Sequence, residues 1–166
     1  MPVLIILIPP IFSRVKDLFQ NTSGDVESGL NSFAWRIAVW KSSLVEIKNG
    51  LILGHGLASF KPFSIHFFPT KTGVASHNSL LEILFETGIL GFLSFVSIFV
   101  GIIKLFHKMI NKSINSFKSE HIIGIAFVLS YLVTCAGDNM LYYLSYNWYF
   151  WFFIGIMVKS LQVINE

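Results

Sequence analysis

The feature that most constrains this chain is an uncharged apolar run over residues 87–103, seventeen positions without Asp, Glu, Lys or Arg. A helix needs about 20 mainly apolar residues to cross a bilayer, and apolar neighbours on both sides extend the run to that length. Shorter apolar runs follow at residues 122–137 and 147–158. The sequence therefore predicts an all-α membrane protein with about three transmembrane helices, over about residues 83–106, 121–138 and 145–160.

The composition agrees with lipid as the main solvent. Hydrophobic residues make up 54% of the chain and charged residues only 13%, whereas soluble domains have about 25% charged residues. The net charge of +3 comes from basic residues that are spread thinly, so no nucleic-acid-binding face is predicted. Cys135 is the single cysteine, lies in an apolar run and is expected to serve packing.

Residues 1–13 are predicted to be a partial transmembrane helix. Their apolar stretch is interrupted by Pro9 and Pro10 and is too short to cross a bilayer alone. A signal peptide is disfavoured, because no Lys or Arg precedes the stretch and no small-residue cleavage site follows it. We therefore expect the outer end of a helix whose earlier part is absent, with a separate chain as one source of the missing N-terminal helices.

Residues 14–78 are polar, with seven Lys or Arg and four acidic residues, and are predicted to form an extracytoplasmic loop. Within it, residues 32–49 are predicted to be an amphipathic helix that Asn31 or Ser32 caps and that Asn49-Gly50 ends in a left-handed turn. Its apolar stripe is predicted to consist of residues at spacings of three and four: Phe33, Ile37, Trp40, Leu44 and Ile47.

The charge pattern predicts the topology. Residues 107–120 are expected to be a cytoplasmic loop, because basic residues flank the first span there and Lys and Arg are retained inside. Spans that alternate from this loop place residues 14–78 and Asp138 outside a bacterial cytoplasmic (inner) membrane, with several passes. The basic residues are Lys104, His107, Lys108, Lys112 and Lys118, against Glu120.

Three sequence motifs occur in order before the first span: Arg36-Ile-Ala-Val-Trp40, then Gly54-His-Gly56, then His77-Asn78 followed after nine residues by Gly88-x-x-Gly91. Their order and spacing resemble the O-antigen ligase and polymerase family. Trp40 stands where Leu is frequent, Ala58 replaces a frequent Gly, and the usual Pro before the glycine stretch is missing. These departures leave the choice between ligase and polymerase open.

The resemblance implies the C-terminal part of a GT-C-like multi-span fold that transfers a polyprenyl-pyrophosphate-linked glycan to a glycan or lipid-core acceptor. It implies that His77 is catalytic and that Arg36, Asn78 and Glu82 bind substrate. Membrane lipids are the further expected partner, and no cofactor or metal is predicted. The residues expected to be structural parts of the motifs are Trp40, Gly54, Gly56, Gly88 and Gly91.

Each motif residue also has a simpler interpretation. His77 alone could be an interfacial polar residue, and Arg36 could extend its charge to the headgroups. A helix is predicted to open near Asn78 or Ser79, where Ser79-x-x-Glu82 fits a capping box. Asp138 could only mark the end of a span. Two further sets of glycines are expected to be structural: Gly54 and Gly56 in turns, and Gly88 and Gly91 on one helical face that another helix approaches.

Two other classes of protein remain open from the sequence. One is a non-catalytic membrane fragment or a partner subunit of a larger envelope-glycan assembly. The other is a transporter, which is less favoured because the sequence predicts unbroken spans without paired intramembrane charges.

Overall fold

The structure is a computed structural model, and it describes residues 32–112 and 118–163. All regular secondary structure in these residues is helical. Residues 1–13, the predicted partial helix, lie outside the described residues. The α-helices are α1 (Ser32–Asn49), α2 (Phe60–Phe63), α3 (Ser79–Lys112), α4 (Lys118–Gly137) and α5 (Leu144–Val163), with short 3-10 turns at Ser64–His66 and Met140–Tyr142.

Helices α3 and α4 form the centre of the molecule as an antiparallel pair. The Ser79 N–H donates to the Asp138 carbonyl at one end, and Phe106 packs on Gly124 toward the other. Within the described residues, two stretches are long and apolar enough to cross a membrane, Ser79–Ile110 and Ser119–Gly137. The main core lies between these helices and α5: Phe99, Phe106, Met109, Val128, Tyr131, Cys135, Phe150 and Ile154.

The third predicted span corresponds to α5, a helix of 20 residues. It is not one of the two described stretches that are long and apolar enough to cross a membrane. Its first half carries Tyr146, Asn147, Trp148 and Tyr149. Tyr and Trp prefer the headgroup region, where the ring is in apolar surroundings and the polar atom is hydrated. A third crossing of the membrane therefore stays a prediction.

The predicted cytoplasmic loop over 107–120 is helical at both of its ends. Helix α3 continues to Lys112 and α4 begins at Lys118, so all five basic residues named above are helical. Residues 113–117 lie outside the described residues. Lys and Met are good helix formers, and no Gly or Pro interrupts this stretch. Apolar residues therefore show where a helix lies in lipid, whereas local propensity decides how far it extends.

Helix α1 covers the residues 32–49 predicted from its capping signals, but its buried face only partly coincides with the predicted stripe. Val39, Ser43 and Ile47 are buried, whereas Phe33 and Leu44 of the predicted stripe are 40% and 49% exposed. Burial of a serine is tolerated because its hydroxyl donates to a carbonyl within the helix, that of Trp40. Binary patterning counted only apolar side chains at fixed spacings, so it included the buried Ile47 but missed Val39 and Ser43.

The end of α1 also differs from the prediction. Neither Asn49 nor Gly50 has a positive φ, so the left-handed stop is wrong. The Gly50 N–H donates to the Ile47 carbonyl, and the His55 ring packs so closely that a Cβ on Gly50 would lie 2.8 Å from Nε2. That Nε2 lies 3.0 Å from the carbonyl oxygen of Glu46. A histidine therefore caps this helix end, which the sequence did not indicate.

A second core of aromatic residues joins α1 and the following loop to the start of α3. Its fully or nearly fully buried members are Val39, Ile47, Phe60, Phe68 and Phe85. Phe60 meets Phe85 edge to face, with ring centroids 5.0 Å apart. This core holds the polar segment against one end of the α3/α4 pair, where the functional motifs lie.

Helix α3 is interrupted at Gly88, which has φ 65° and ψ −169°. This conformation is restricted to glycine. The break removes the usual helical acceptors of the next two amides, and the loop after α1 replaces them. Ile89 N–H donates to the Leu51 carbonyl at 2.8 Å, and Leu90 N–H to the Ile52 carbonyl at 3.4 Å.

The carbonyls on the other side of the break are also bonded to this loop. Phe85 accepts from the His55 N–H at 3.0 Å, and Glu86 accepts from the Gly56 N–H at 2.9 Å. The loop therefore replaces two helical hydrogen bonds with four bonds to its own main chain. Two sequence predictions are corrected here: the span is broken, and Gly88 admits a loop main chain rather than a second helix.

Gly54 explains why the glycine stretch is needed at this junction. Its φ is +74°, and a Cβ there would lie 2.3 Å from the carbonyl carbon of Glu86. Gly56 also has a positive φ of +102°, but open space surrounds its Cβ position. The turn predicted for both glycines is present, and close main-chain approach adds a second requirement at Gly54. Gly91 lies against its own helix, where a Cβ would collide with the Thr87 side chain.

Candidate functional site

His77 lies immediately before α3, at the end that α3 shares with the end of α4. Its Nδ1 is 3.1 Å from Oδ1 of Asp138, and the two side chains are 39% and 38% exposed. When Nδ1 carries the proton and donates it to the carboxylate, Nε2 has a free lone pair. The pair therefore presents a partly exposed, oriented base.

Asp138 is held in its ionised form by several donors. The Asn139 N–H donates to Oδ1 at 2.8 Å, and the Tyr143 hydroxyl donates to Oδ2 at 3.2 Å. The bond from the Asn139 amide, followed by that from His77, lowers the pKa of Asp138. An ionised carboxylate both fixes the histidine tautomer and stabilises the imidazolium that forms when Nε2 takes a proton.

The backbone at His77 is in a left-handed conformation, with φ +48°. Such a conformation costs a non-glycine residue about 1–3 kcal/mol and persists where the surroundings fix it. Here Trp40 Nε1–H donates to the Ser76 carbonyl at 2.7 Å, and the Asn78 N–H donates to Oδ1 of Asn139 at 2.9 Å. Trp40, predicted as a structural motif residue, thus holds the segment that positions His77.

The start of α3 is capped differently from the prediction. Oδ1 of Asn78 accepts from the Leu81 N–H at 3.0 Å, so Asn78 is the N-cap. The Ser79 hydroxyl instead donates to the Asp138 carbonyl at 3.0 Å, and Glu82 is bonded elsewhere. The capping box Ser79-x-x-Glu82 is therefore wrong, because tertiary partners compete for both side chains.

Arg36 reaches the same place from α1. Its Nη1 donates to the Gly137 carbonyl at 2.8 Å, at the negative end of the α4 dipole. Its Nε is buried and has no partner among the residues that the structure describes. Arg36 and His77 therefore contact consecutive residues, Gly137 and Asp138. The bond to Gly137 uses one of the five guanidinium N–H donors.

Glu82 is a buried link between the two sides of the site rather than an exposed group. It is 6% exposed, and its Oε1 accepts from the Tyr142 hydroxyl at 2.6 Å. The Ser76 hydroxyl lies 2.9 Å from both Oε2 of Glu82 and Oδ1 of Asn139. Burial, followed by this contact with Glu82, raises the pKa of Tyr142 well above its ordinary value.

A small cleft that is partly open to solvent lies between the start of α3 and the turn after α4. Glu86, on its wall, has one carboxylate oxygen that accepts from the Phe60 N–H at 3.2 Å. The lining residues are Ser79, Glu82, Ile83, Glu86, Leu141 and Tyr142. Both carboxylate oxygens of Glu82 are bonded to protein hydroxyls, and the surface of the cleft is mainly apolar.

Sequence reasoning missed most of the residues that surround His77. Asp138 had been interpreted only as the possible end of a span, Tyr142 only as one of the aromatic residues at headgroup level, and Ser76 and Asn139 had no assigned role. One signal was available, because alternating spans place residues 77 and 138 on the same side of the membrane. The pairing itself depends on how α3 and α4 pack, which no local pattern records.

These features define a class: a helical protein with apolar helices of membrane-spanning length and an Arg, His and Asp site at one end of them. The sequence profile of one family, described as O-antigen ligase, matches residues 1–96, more than half of the chain. The chain therefore belongs to the O-antigen ligase family, whose members are membrane-associated. The match contains Arg36 and His77 but ends before Asp138. A search of curated proteins finds no match.

Proposed function

We propose that this protein transfers a polyprenyl-pyrophosphate-linked glycan to an acceptor hydroxyl during assembly of a cell-surface polysaccharide, as an O-antigen ligase or polymerase. Membership of the O-antigen ligase family supports activity of this type. One observation carries the proposal further: Arg36 and His77 bond to the neighbouring residues Gly137 and Asp138. A cation and an oriented base therefore lie at one end of the helix pair.

In the proposed reaction the acceptor oxygen attacks the anomeric carbon of the donor sugar. The bond between that carbon and the phosphate oxygen breaks, and its electron pair leaves with the pyrophosphate. Nε2 of His77 takes the proton of the acceptor hydroxyl, and Asp138 stabilises the resulting imidazolium through Nδ1–H. Proton transfer of this kind contributes roughly a hundredfold to ten-thousandfold in rate.

Arg36 is proposed to bind the pyrophosphate. Guanidinium binds phosphate oxygens through two parallel N–H groups and stays charged at every relevant pH. One N–H of Nη1 is used by the Gly137 carbonyl, so the remaining Nη hydrogens would carry the contact. One charge-assisted hydrogen bond contributes about 1.5–3 kcal/mol, which is roughly a tenfold to hundredfold effect on rate.

Asn78 and Glu82 are proposed to support the substrate in different ways. The Asn78 side-chain oxygen caps α3, which leaves its amide group to donate to a sugar or phosphate oxygen. Both carboxylate oxygens of Glu82 accept from protein hydroxyls. Glu82 would therefore act through Ser76 and Tyr142, by fixing the segment that carries His77.

Replacement of the histidine tests the proposal. In cells that lack the gene, we expect His77→Ala to be present in the membrane at the wild-type level but to leave the lipid-linked glycan untransferred. The measurement is the polysaccharide ladder on a gel, together with the amount of lipid-linked donor. His66→Ala is the matched control, because His66 is an exposed histidine of the same polar segment.

Two results would contradict the proposal. A normal ladder in cells without the gene would show that the chain takes no part in this assembly. A ladder that is lost on deletion but restored by His77→Ala would identify the chain as a non-catalytic subunit of the assembly.

A further inference from the structure

The loop between α1 and α2 exposes a group of large apolar side chains. Residues 51–60 contain no charged residue. Four side chains in the first part of this stretch are at least half exposed: Leu51 at 50%, Ile52 at 64%, Leu53 at 75% and Leu57 at 82%. Contiguous apolar surface of this kind marks a place where a protein meets another apolar phase.

The main chain of this loop is turned toward α3 while these side chains point away. Hydrogen bonds connect Leu51 and Ile52 carbonyls and His55 and Gly56 amides to the broken turn around Gly88. Backbone groups can lie at membrane depth only when protein groups satisfy them. The pairing with the broken turn meets this requirement for the part of the loop nearest the helix.

The position of the contact along α3 places the loop at the level of the lipid chains. The uncharged run begins at Thr87, one residue before the break. With a rise of about 1.5 Å per residue, Gly88 lies about 13 Å along the helix from Ser79. Leu90 and Leu93 follow Gly88 along α3, and their side chains are 55% and 56% exposed. The apolar surface of the loop is therefore continuous with that of a helix of membrane-spanning length.

We infer that residues 51–57 form a loop inserted into the bilayer leaflet next to the His77 site, with Leu51, Ile52, Leu53 and Leu57 among the acyl chains. On one side the main chain of the loop forms hydrogen bonds with the broken turn of α3. On the other side its apolar side chains contact lipid. This segment belongs to the polar region predicted as an extracytoplasmic loop, so the inference brings part of that region into the membrane. It rests on the fold and is independent of the transfer reaction.

Spin labelling of single cysteines tests the insertion. In the full chain with Cys135→Ser, labels are placed by Leu53→Cys and, in a second variant, Leu57→Cys. Leu93→Cys serves as the lipid reference, and Lys71→Cys, exposed in the same polar segment, as the water reference. The protein is reconstituted in phosphatidylethanolamine and phosphatidylglycerol vesicles. Accessibility to oxygen and to a water-soluble nickel complex is then measured by power saturation.

We expect both loop labels to match Leu93, with high oxygen accessibility and at least severalfold lower accessibility to nickel than Lys71. Two outcomes would overturn the inference. Nickel accessibility equal to that of Lys71 would place the loop in water. Low accessibility to both reagents would show that protein covers the loop. Because both substitutions replace exposed side chains, a folding defect in one variant leaves the other as an independent measurement.

Discussion

At the scale of single residues, the site depends on a histidine in an uncommon backbone conformation. His77 has a positive φ because the Ser76 carbonyl and the Asn78 amide on either side are bonded to Trp40 and Asn139. Side chains from α1 and from the turn after α4 thus fix one peptide segment. The strain at His77 is maintained by contacts that are far away in sequence, which is typical of functional sites.

Asp138 should act as a positioning residue for His77. We expect Asp138→Asn to lower glycan transfer by roughly 10- to 10⁴-fold, the range for loss of a carboxylate that orients a histidine. An amide cannot stabilise the imidazolium and favours the wrong tautomer. Transfer is measured as the rate of polymer formation in isolated membranes with lipid-linked donor.

The matched control is Tyr143→Phe, which removes another donor to Asp138 but keeps the contact with His77. The pH dependence gives a second reading. Hydrogen bonds lower the pKa of Asp138 in the folded protein. The folding stability that its ionised carboxylate contributes is therefore fully present above its unfolded pKa, about 4, and is lost as the pH falls through the lower folded pKa. Equal rates for Asp138→Asn and wild type at pH 7 would contradict the assigned role.

At the scale of elements, the broken helix is the feature that organises the polar segment. A continuous α3 would have no free amides to receive the loop after α1, and α1 would lose one of its attachments. The four main-chain bonds at the break and the aromatic core around Phe85 hold the loop and α1 on α3. The break therefore links the motif that carries Arg36 to the helix that follows His77.

Substitution at the break should destabilise the protein. We expect Gly88→Ala to lower the free energy of unfolding by at least about 1–3 kcal/mol, because its backbone conformation is restricted to glycine. The added Cβ would also lie 2.3 Å from the Ile52 carbonyl oxygen. The measurement is thermal unfolding of detergent-solubilised protein, followed by fluorescence-detected size exclusion.

Gly101→Ala is the control in the same helix, because no atom lies within 4 Å of its Cβ position. Alanine there should leave stability unchanged or raise it by up to about 1 kcal/mol. Indistinguishable melting of the two variants would mean that the break is not a fixed part of the fold.

At the scale of the whole molecule, the antiparallel α3/α4 pair brings the motifs to one end and the basic residues to the other. The contact of His77 with Asp138 requires that both residues lie on one side of any membrane that the pair crosses. The exposed Lys104 and Lys108 lie on the last part of α3. This arrangement agrees with the expected separation of the two ends across a bilayer.

Orientation in the cell is predicted from that separation. With Cys135→Ser as background, we expect Lys71→Cys to react with a small membrane-impermeant maleimide in intact cells. Lys108→Cys should react only after the membrane is opened, because the basic end is predicted to be cytoplasmic. Both lysines are exposed, so access through protein does not limit either reaction. The opposite pattern would place Arg36 and His77 on the cytoplasmic side.

The sequence by itself determined the membrane character, the helical class and the family. Long uncharged runs can only be helices in lipid, and the order of the Arg36, glycine and His77 motifs was enough for the family. The bounds of α1 were also predicted, although the left-handed turn at its end was not found. These properties depend on composition and short spacings, which are read directly along the chain.

The tertiary structure alone decided which side chains meet. His77 bonds to Asp138 and Arg36 donates to the Gly137 carbonyl, and each bond joins separate elements. The burial of Glu82 likewise depends on residues from other elements. The same competition overturned the capping box at Ser79 and the stop at Gly50, since tertiary partners took those groups. The break at Gly88 likewise exists because a distant loop supplies its hydrogen bonds, and a local pattern contains no information about that loop.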